Sequence, residues 1–371
     1  MKRMGQLAGV ALVGALALTA CGSDNNTGTT NAGSGSSASA SSDCPSGTLN
    51  AEGSSAQKNA IDEAIASYGS TCPDVTVNYN PTGSGSGIKQ FIAGQVDFAG
   101  SDSSLKTKPK DGKVESDEAA KRCQGNPAWN LPMVTGPIAV AYKLKGVDKL
   151  VLTPEVAAKI FLGQITSWDD PAIAKVNPGV TLPKEAVKPF FRSDESGTTE
   201  NFTKWLSASA PTVWTAAPGK SWTGKGEGKE KSAGVTDAVN ASEGGITYTE
   251  WSYAKDAKLG VAEIDNGAGP VQLTPETVGK SVATAKQKGT GNDLALDLNY
   301  GTKEPGAYPV ILVTYEIVCS KGLDADKTKL VKSFLTHFSS SDFQSKLTDL
   351  GYAPLPDSVR TKVSAAIEAI S

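Results

Sequence analysis

Histidine is almost missing from this 371-residue chain, which contains only His337. No C-x-x-C pair is present either, so a zinc site built from histidine and cysteine is not expected. His337 lies in Lys327–Phe338, where apolar residues recur at helical spacing. This pattern predicts a residue at the edge of a packed helix rather than a catalytic base. We therefore expect no metal and no cofactor.

Complete enzyme motifs are also lacking. Ser55-Ala56-Gln57-Lys58 matches the S-x-x-K pattern of penicillin-interacting enzymes, but K-T-G is absent. Gly219-Lys220-Ser221 is not a P-loop, because Trp214 stands where its earlier glycine should be. A Ser-His-Asp triad would depend on His337 alone. The chain is therefore expected not to be an enzyme.

The chain has no excess of positive charge. Its 36 Lys and Arg residues are outnumbered by 39 Asp and Glu, which gives a formal net charge of −3. Nucleic acids and anionic lipid surfaces favour a strongly basic face, so neither is an expected partner. An acidic protein can still bind a small anion when helix dipoles and neutral donors hold it.

Long apolar runs are absent as well. The run Leu7–Ala17 follows Met1-Lys2-Arg3 and is too short for a permanent membrane span. It predicts a secretory signal peptide over residues 1–20. Residues 21–47 are rich in Gly, Ser, Thr and Asn and predict a flexible tether.

The end of the signal carries a further indication. Leu18-Thr19-Ala20-Cys21 resembles the lipobox of bacterial lipoproteins. The resemblance implies cleavage before Cys21 and lipidation of that cysteine, which would hold the protein to the membrane. An ordinary signal cleaved near Ala20 is the alternative.

Four cysteines remain beyond Cys21. An even number in an exported chain favours two disulfides, for which three pairings are possible. The favoured pairing is Cys44–Cys72, around the first helical unit, with Cys123–Cys319.

What the chain does contain is an alternation of strands and helices, in a length that suits two domains. Thr223–Gly234, rich in Gly, Lys and Glu, predicts a mobile surface loop. The predicted strands are Thr48–Ala51, Val75–Tyr79, Val96–Ala99, Val187–Phe191, Gly245–Tyr248 and Tyr308–Val318. The predicted helices include segments around Ala60–Tyr68, Ile88–Ile92 and Phe202–Leu206, together with Pro154–Phe161 and Asp357–Ile370.

Three loops rich in hydroxyls and glycine precede predicted helices. They are Glu52–Ser55, Gly83–Gly87 and Arg192–Thr198. A helix start offers unpaired N–H groups and the positive end of a dipole, so it attracts anions. Because ligands of parallel α/β sheets bind beyond the strand carboxyl ends, the three loops predict a site for a small tetrahedral oxyanion.

Several sequence segments occur in a characteristic order. The lipobox, the tether, G-S-G-S-G-I-K-Q, V-D-F-A-G-S-D and R-S-D-E-S-G-T-T together resemble the extracytoplasmic phosphate-binding lipoproteins of phosphate-specific ABC transporters. The resemblance covers nearly all of Thr48–Pro356. It implies a monomeric receptor on the outer face of the cytoplasmic membrane that binds inorganic phosphate and delivers it to the permease and ATPase subunits of the transporter.

The same resemblance implies an α/β, two-domain periplasmic-binding-protein (type II) fold. Each domain would have a mixed, mainly parallel sheet flanked by helices, and two hinge strands would join them. Domain I would comprise residues 48–133 and 310–371, and domain II residues 134–309.

Site residues follow from the resemblance position by position. Asp102 matches a carboxylate that accepts a proton from the ligand, and Asp194 a residue that supports the binding arginine. Ser54-Ser55-Ala56 stands where some members have a Thr-Phe pair, so either serine could supply the hydroxyl. The implied phosphate-binding residues are Ser54, Ser55, Ala56, Ser84, Asp102, Arg192, Ser196, Gly197 and Thr198.

The chemistry of Asp102 favours phosphate over other oxyanions. A carboxylate repels an anion unless the anion brings a hydrogen to donate, which hydrogen phosphate does and sulfate at neutral pH does not. The alternatives are a receptor for sulfate or molybdate, a secreted serine hydrolase using Ser55 or Ser196, and a surface protein in which the serines only cap helices.

Overall fold

The computed structural model describes residues 44–109 and 112–371. The predicted signal peptide, the lipidated Cys21 and the tether up to residue 43 lie outside the described residues. The strands are β1 (Gly47–Gly53), β2 (Val75–Asn80), β3 (Phe98–Ser101), β4 (Ala128–Tyr142), β5 (Val151–Leu152), β6 (Lys188–Arg192), β7 (Glu227–Lys229), β8 (Gly245–Glu250), β9 (Gly260–Val261), β10 (Glu263–Asp265), β11 (Pro270–Val271), β12 (Lys286–Gln287), β13 (Leu296–Asp297) and β14 (Ile311–Cys319).

The helices bury the apolar residues that recur at helical spacing in the sequence. In the first of them, for example, Ala60, Ile61, Ala64 and Tyr68 are buried on one side. The helices are α1 (Lys58–Thr71), α2 (Ser84–Ile92), α3 (Glu115–Arg122), α4 (Pro154–Phe161), α5 (Pro171–Val176), α6 (Gly197–Ser209), α7 (Lys231–Asn240), α8 (Trp251–Asp256), α9 (Pro275–Ala283), α10 (Ala325–Ser339), α11 (Ser341–Lys346) and α12 (Asp357–Glu368).

The main sheet contains two parallel groups of strands. β1 lies between β2 and β3, and β6 lies between β7 and β8, with parallel pairing throughout both groups. The long strands β4 and β14 connect the groups in the order β2-β1-β3-β14-β4-β8-β6-β7. The pairs β3–β14, β14–β4 and β4–β8 are all antiparallel.

This connectivity places the two groups head to head. Residues 128–137 of β4 pair with β14, whereas residues 138–142 pair with β8. Because three antiparallel steps separate β3 from β8, the two strands run in opposite directions. The carboxyl ends of both parallel groups therefore point towards the same level of the sheet, near residue 138. Loops that leave these ends meet there.

Buried apolar side chains form three clusters. The largest is built mainly from residues between 138 and 312. The other two draw mainly on residues before 134 and after 317. The domain boundaries remain a prediction. The predicted boundary near residue 134 lies within β4, and the one near residue 310 lies directly before β14.

Helix α6 is anchored in the largest cluster by aromatic packing. Phe202 and Trp205 are fully buried. The Phe202 ring stacks on Tyr248 of β8 with the centroids 4.4 Å apart, and it meets Phe161 of α4 edge-on at 5.1 Å. Aromatic pairs of this kind contribute about 0.5–1.5 kcal/mol beyond the area that they bury. They fix the position of the helix start that carries Gly197 and Thr198.

Three element predictions need correction. The segment 84–87, predicted as a loop, already forms the first turn of α2. The strand predicted at Val96–Ala99 begins two residues later, at Phe98. The segment 223–234, predicted as a mobile loop, contains β7 and the start of α7, because residues 227–229 pair with β6, a contact that composition does not reveal.

Both disulfides of the favoured pairing are present in the structure. Cys44–Cys72 joins the chain before β1 to the end of α1, and Cys123–Cys319 joins the end of α3 to the end of β14. Among the described residues, no helix has the length and apolar character needed to cross a bilayer.

Candidate functional site

Asp102 follows β3 and lies at the centre of a set of hydroxyl groups. Its side chain is buried, and three hydroxyls donate to it. Ser54 Oγ donates to Oδ1 at 2.6 Å, Thr314 Oγ1 to Oδ1 at 2.7 Å, and Ser84 Oγ to Oδ2 at 2.9 Å. These bonds gather β1, β14 and the start of α2 around one carboxylate.

The three hydroxyls do not occupy every acceptor position of the Asp102 carboxylate. Its two oxygens offer about four lone-pair positions, so Oδ2 can accept one more hydrogen. Burial raises the pKa of Asp102 from 3.8 to about 6, against the hydrogen bond from Ser54, which lowers the pKa. At neutral pH the group is therefore mainly ionised and acts as an acceptor.

Arg192 ends β6 and is the buried cation of the site, with 2% of its surface exposed. Its Nε and Nη2 donate to the two oxygens of Asp194 at 2.7 and 2.5 Å. Burial lowers the pKa of the guanidinium, but Asp194 more than offsets this, so the pKa is raised overall. Nη1 is turned away from Asp194 and donates to Thr198 Oγ1 at 3.2 Å and Ser232 Oγ at 3.0 Å.

The start of α6 closes against Asp102. Ser196 caps the helix, with its Oγ accepting from the backbone N–H of Thr199 at 3.1 Å. Gly197 lies so close to the other side of the site that a Cβ placed on it would be 2.4 Å from Ser84 Oγ and 2.6 Å from Asp102 Cβ. Asn201 Nδ2, one turn further, donates to the carbonyl of Asp102 at 2.7 Å.

Gly197→Ala should therefore weaken the binding of an anion at this site. The added methyl group cannot fit beside Asp102 Cβ, which is not the end of a flexible side chain, so the start of α6 must move away. We expect a loss of at least about tenfold in affinity, equivalent to roughly 1.4 kcal/mol, measured by titration calorimetry.

Gly279→Ala is a suitable control, because a Cβ at Gly279 of α9 would meet no atom within 4 Å. Its affinity should match that of the wild type. An unchanged affinity in Gly197→Ala would mean that the close approach of α6 is unrelated to binding.

The two serines of the Ser54-Ser55-Ala56 turn have different partners. Ser54 Oγ bonds Asp102, and it also accepts from the N–H of Ala56 at 3.0 Å, so that predicted backbone donor is engaged within the turn. Ser55 Oγ lies 3.0 Å from Ser232 Oγ and accepts from the N–H of Ser232 at 3.2 Å. Ser55 thus contacts the start of α7.

Four residues of this site were not found by the sequence reasoning: Asn201, Ser232, Glu250 and Thr314. Glu250 ends β8 and is fully buried. One of its oxygens accepts from Thr198 Oγ1 at 2.6 Å, while Oε2 has no partner among the described residues. A strand-end position could have drawn attention to Glu250, whereas the composition around Ser232 concealed its role.

His337 takes no part in the site. Its Nε2 lies 2.8 Å from Ser67 Oγ, and its ring packs against Tyr68 and Phe343. Burial lowers its pKa. The predicted position at the edge of a helix, α10, is therefore confirmed.

Comparisons with known proteins agree on one family. A family model described as a PBP superfamily domain matches residues 38–342. The chain is 45% identical over 377 residues to the phosphate-binding protein PstS 3 of Mycobacterium tuberculosis, with 100% of both chains covered. It is 43% identical over 376 residues to the phosphate-binding protein PstS 3 of Mycobacterium leprae, again with 100% of both covered.

A solved structure extends the agreement to the fold. The high-affinity periplasmic phosphate-binding protein PfluDING, bound with phosphate, matches with a TM-score of 0.67 at 21% identity, over 86% of this chain and 93% of that one. Together with the family model, this likeness confirms the predicted two-domain α/β periplasmic-binding-protein fold.

Proposed function

Since the chain belongs to the PstS family of phosphate-binding proteins within the periplasmic-binding-protein superfamily, we propose that it captures inorganic phosphate and delivers it to an ABC transporter for import. The carrying observation is the pairing of one acceptor, Asp102, with a buried arginine and several hydroxyls at the facing strand ends. Such a set holds an anion that also donates a hydrogen.

The ligand would lie between Asp102 and the start of α6. Arg192 Nη1 would turn from its present hydroxyl partners to an oxygen of the ligand, since Nε and one hydrogen of Nη2 are held by Asp194. The hydroxyl of Ser55 and the N–H groups of Gly197 and Thr198 would supply further hydrogen bonds. The hydroxyls of Ser54, Ser84 and Thr198, whose hydrogens now go to Asp102 and Glu250, and the N–H of Ala56, now bonded to Ser54 Oγ, would change partner when the ligand binds. Ser196 would act as the cap of α6, because its own N–H already donates to the carbonyl of Lys220. Helix dipoles add to these donors.

Binding without chemistry is supported by the position of the one histidine. His337 bonds Ser67 and not Ser55 or Ser196, the two serines that a hydrolase would use as nucleophile. Ser55 instead bonds Ser232, and Ser196 caps α6.

Location and partners complete the proposal. The signal over residues 1–20 would direct the chain out of the cytoplasm, and a lipid on Cys21 would hold a monomeric receptor to the outer face of the cytoplasmic membrane. There it would pass phosphate to the permease, driven by the ATPase subunits.

The purified protein should bind phosphate and not sulfate. Calorimetric titration at about pH 7.5, where Asp102 is ionised, should give one saturable phosphate site per chain and no heat of binding with sulfate. Equal binding of both anions would point to the sulfate or molybdate alternative. Hydrolysis of a chromogenic phosphate or acyl ester would point to the hydrolase.

A further inference from the structure

A second acidic residue lies beneath the phosphate site. Glu316 of β14 is fully buried, and neither of its carboxyl oxygens has a hydrogen-bond partner among the described residues. Its neighbours on the flanking strands, Gly100 and Leu131, are uncharged. An ionised carboxylate without donors in such a place would be strongly unfavourable.

Gln57 lies beside Gly100, the strand partner of Glu316: a Cβ on Gly100 would come 2.3 Å from Gln57 Nε2. Gln57 also lacks one partner. Its Nε2 donates to the hydroxyl of Tyr79 at 3.1 Å, but its Oε1 is buried without a donor among the described residues. The amide cannot be turned round. The single hydrogen of the Tyr79 hydroxyl already goes to the carbonyl of Ser54 at 2.7 Å, so this hydroxyl must accept from Gln57, and Oε1 remains an acceptor in need of a hydrogen.

One proton supplies both missing interactions. Two acceptors that face each other form no hydrogen bond, whereas a protonated Glu316 can donate to Gln57 Oε1. The result is a continuous chain of donors from Glu316 through Gln57 and Tyr79 to the carbonyl of Ser54. This carbonyl belongs to the turn whose hydroxyls bond Asp102 and Ser232.

We propose that Glu316 is a positioning residue for the phosphate site, carrying a proton at neutral pH that it donates to Gln57 Oε1 and thereby fixing the Ser54–Ser55 turn through Tyr79. The effect of Glu316 on phosphate affinity rests on the proposed function. The protonation state of Glu316 is independent of that function.

The electrostatic surroundings agree with this assignment. Burial raises the pKa of Glu316 from 4.5 to about 8, the nearby Gln57 amide lowers it, and the charge of Asp102 raises it. The effect of burial is the largest of the three, and no N–H of Gln57 makes a hydrogen bond to the carboxyl. Tyr79, the other titratable group that faces Glu316, has its pKa raised well above 10 and stays neutral. Among the residues that the structure describes, Asp102 is therefore the ionised group whose charge acts on Glu316 at neutral pH.

Above about pH 8, Glu316 should lose the proton. The donor to Gln57 disappears, and a second negative charge is added near Asp102. Phosphate affinity should then fall, by at most about tenfold for each pH unit above the pKa.

Glu316→Gln tests the effect on binding, because its amide donates to Gln57 at every pH. Phosphate is titrated at about pH 6.5 and at about pH 9.5. At the lower pH, the affinities of the variant and the wild type should agree within about twofold. At the higher pH the wild type should bind phosphate more weakly than the variant, by up to about 30-fold. The ionisation of phosphate itself is common to both proteins and cancels in the ratio. Parallel profiles would overturn the proposal.

Stability without phosphate tests the protonation state independently. The pKa of Glu316 is raised on folding, so its stabilising contribution is complete below about pH 4.5 and is lost as the pH rises to about 8. Relative to Glu316→Gln, the wild type should lose several degrees in Tm across this range. Glu276→Gln, at an exposed position of α9, is the matched control and should follow the wild type.

Infrared titration of the wild-type protein needs no variant. The C=O band of a protonated glutamic acid, identified by isotope labelling of glutamate, should persist at neutral pH and vanish near pH 8. Its absence at neutral pH would overturn the proposal even if phosphate binds. Conversely, a protein that retains this band but binds no phosphate would refute the proposed function and leave the protonated Glu316 standing.

Discussion

Asp102→Asn should bring sulfate binding to a protein that otherwise rejects it. The Asn side chain keeps an acceptor for Ser54 and Thr314, but it presents an N–H₂ group where Oδ2 now accepts from Ser84. A fully deprotonated oxyanion would then meet a donor instead of a buried negative acceptor. An unpaired buried acceptor costs about 1–3 kcal/mol, so the phosphate-to-sulfate preference should fall by about 5- to 150-fold.

The measurement is a pair of calorimetric titrations, phosphate and sulfate, on wild type and variant at about pH 7.5. Asp357→Asn, on the exposed first turn of α12, controls for the loss of one negative charge and should keep the wild-type preference. A variant that still excludes sulfate would show that selectivity does not depend on the charge of Asp102.

The pH dependence of the wild type offers a second view of the same residue. Because burial raises the pKa of Asp102 to about 6, the group becomes protonated below that value and turns into a donor. Sulfate should therefore begin to bind as the pH falls through about 6, and this change should be missing from Asp102→Asn.

Local patterns predicted much of the fold. Pro154–Phe161 was predicted to the residue, since Thr153 caps the helix and Pro154 occupies its first turn. The strand β2 was found by its β-branched content. Errors occurred where tertiary contacts decide, as in β7, whose three residues form a strand only because they pair with β6.

The residues of the site also differ in whether a local pattern or a tertiary contact reveals them. Asp102 and Arg192 directly follow or end strands, a position visible in the sequence. Thr314 reaches the Asp102 carboxylate from 212 residues away, and Ser232 reaches Ser55 from 177 residues away. No local pattern indicates such partners. The choice between Ser54 and Ser55 could not be made from sequence because it depends on which facing residue each hydroxyl meets.

Arg192→Met should reduce phosphate affinity by at least about 100-fold. The substitution removes the buried positive charge, and with it the Nη1 donor that we assign to the ligand. Charge-assisted hydrogen bonds of this kind contribute about 1.5–3 kcal/mol each. The variant should also lose stability, because Asp194, whose pKa Arg192 lowers against the effect of burial, is left without its main partner. Breaking a buried pair in this way costs about 3–5 kcal/mol, and the partial exposure of Asp194 reduces this figure.

A double variant separates these two losses. In Arg192→Met with Asp194→Asn, the Asp194 carboxylate is gone, so the Tm should return part of the way towards that of the wild type while phosphate affinity stays low. The buried Glu250, whose charge also acts on Arg192, keeps the recovery incomplete. Arg360→Met, which removes a surface arginine paired with Asp357, should alter neither quantity appreciably. If the double variant instead recovers phosphate affinity together with stability, Arg192 serves to neutralise Asp194, and the anion must be held by hydroxyls and helix starts alone.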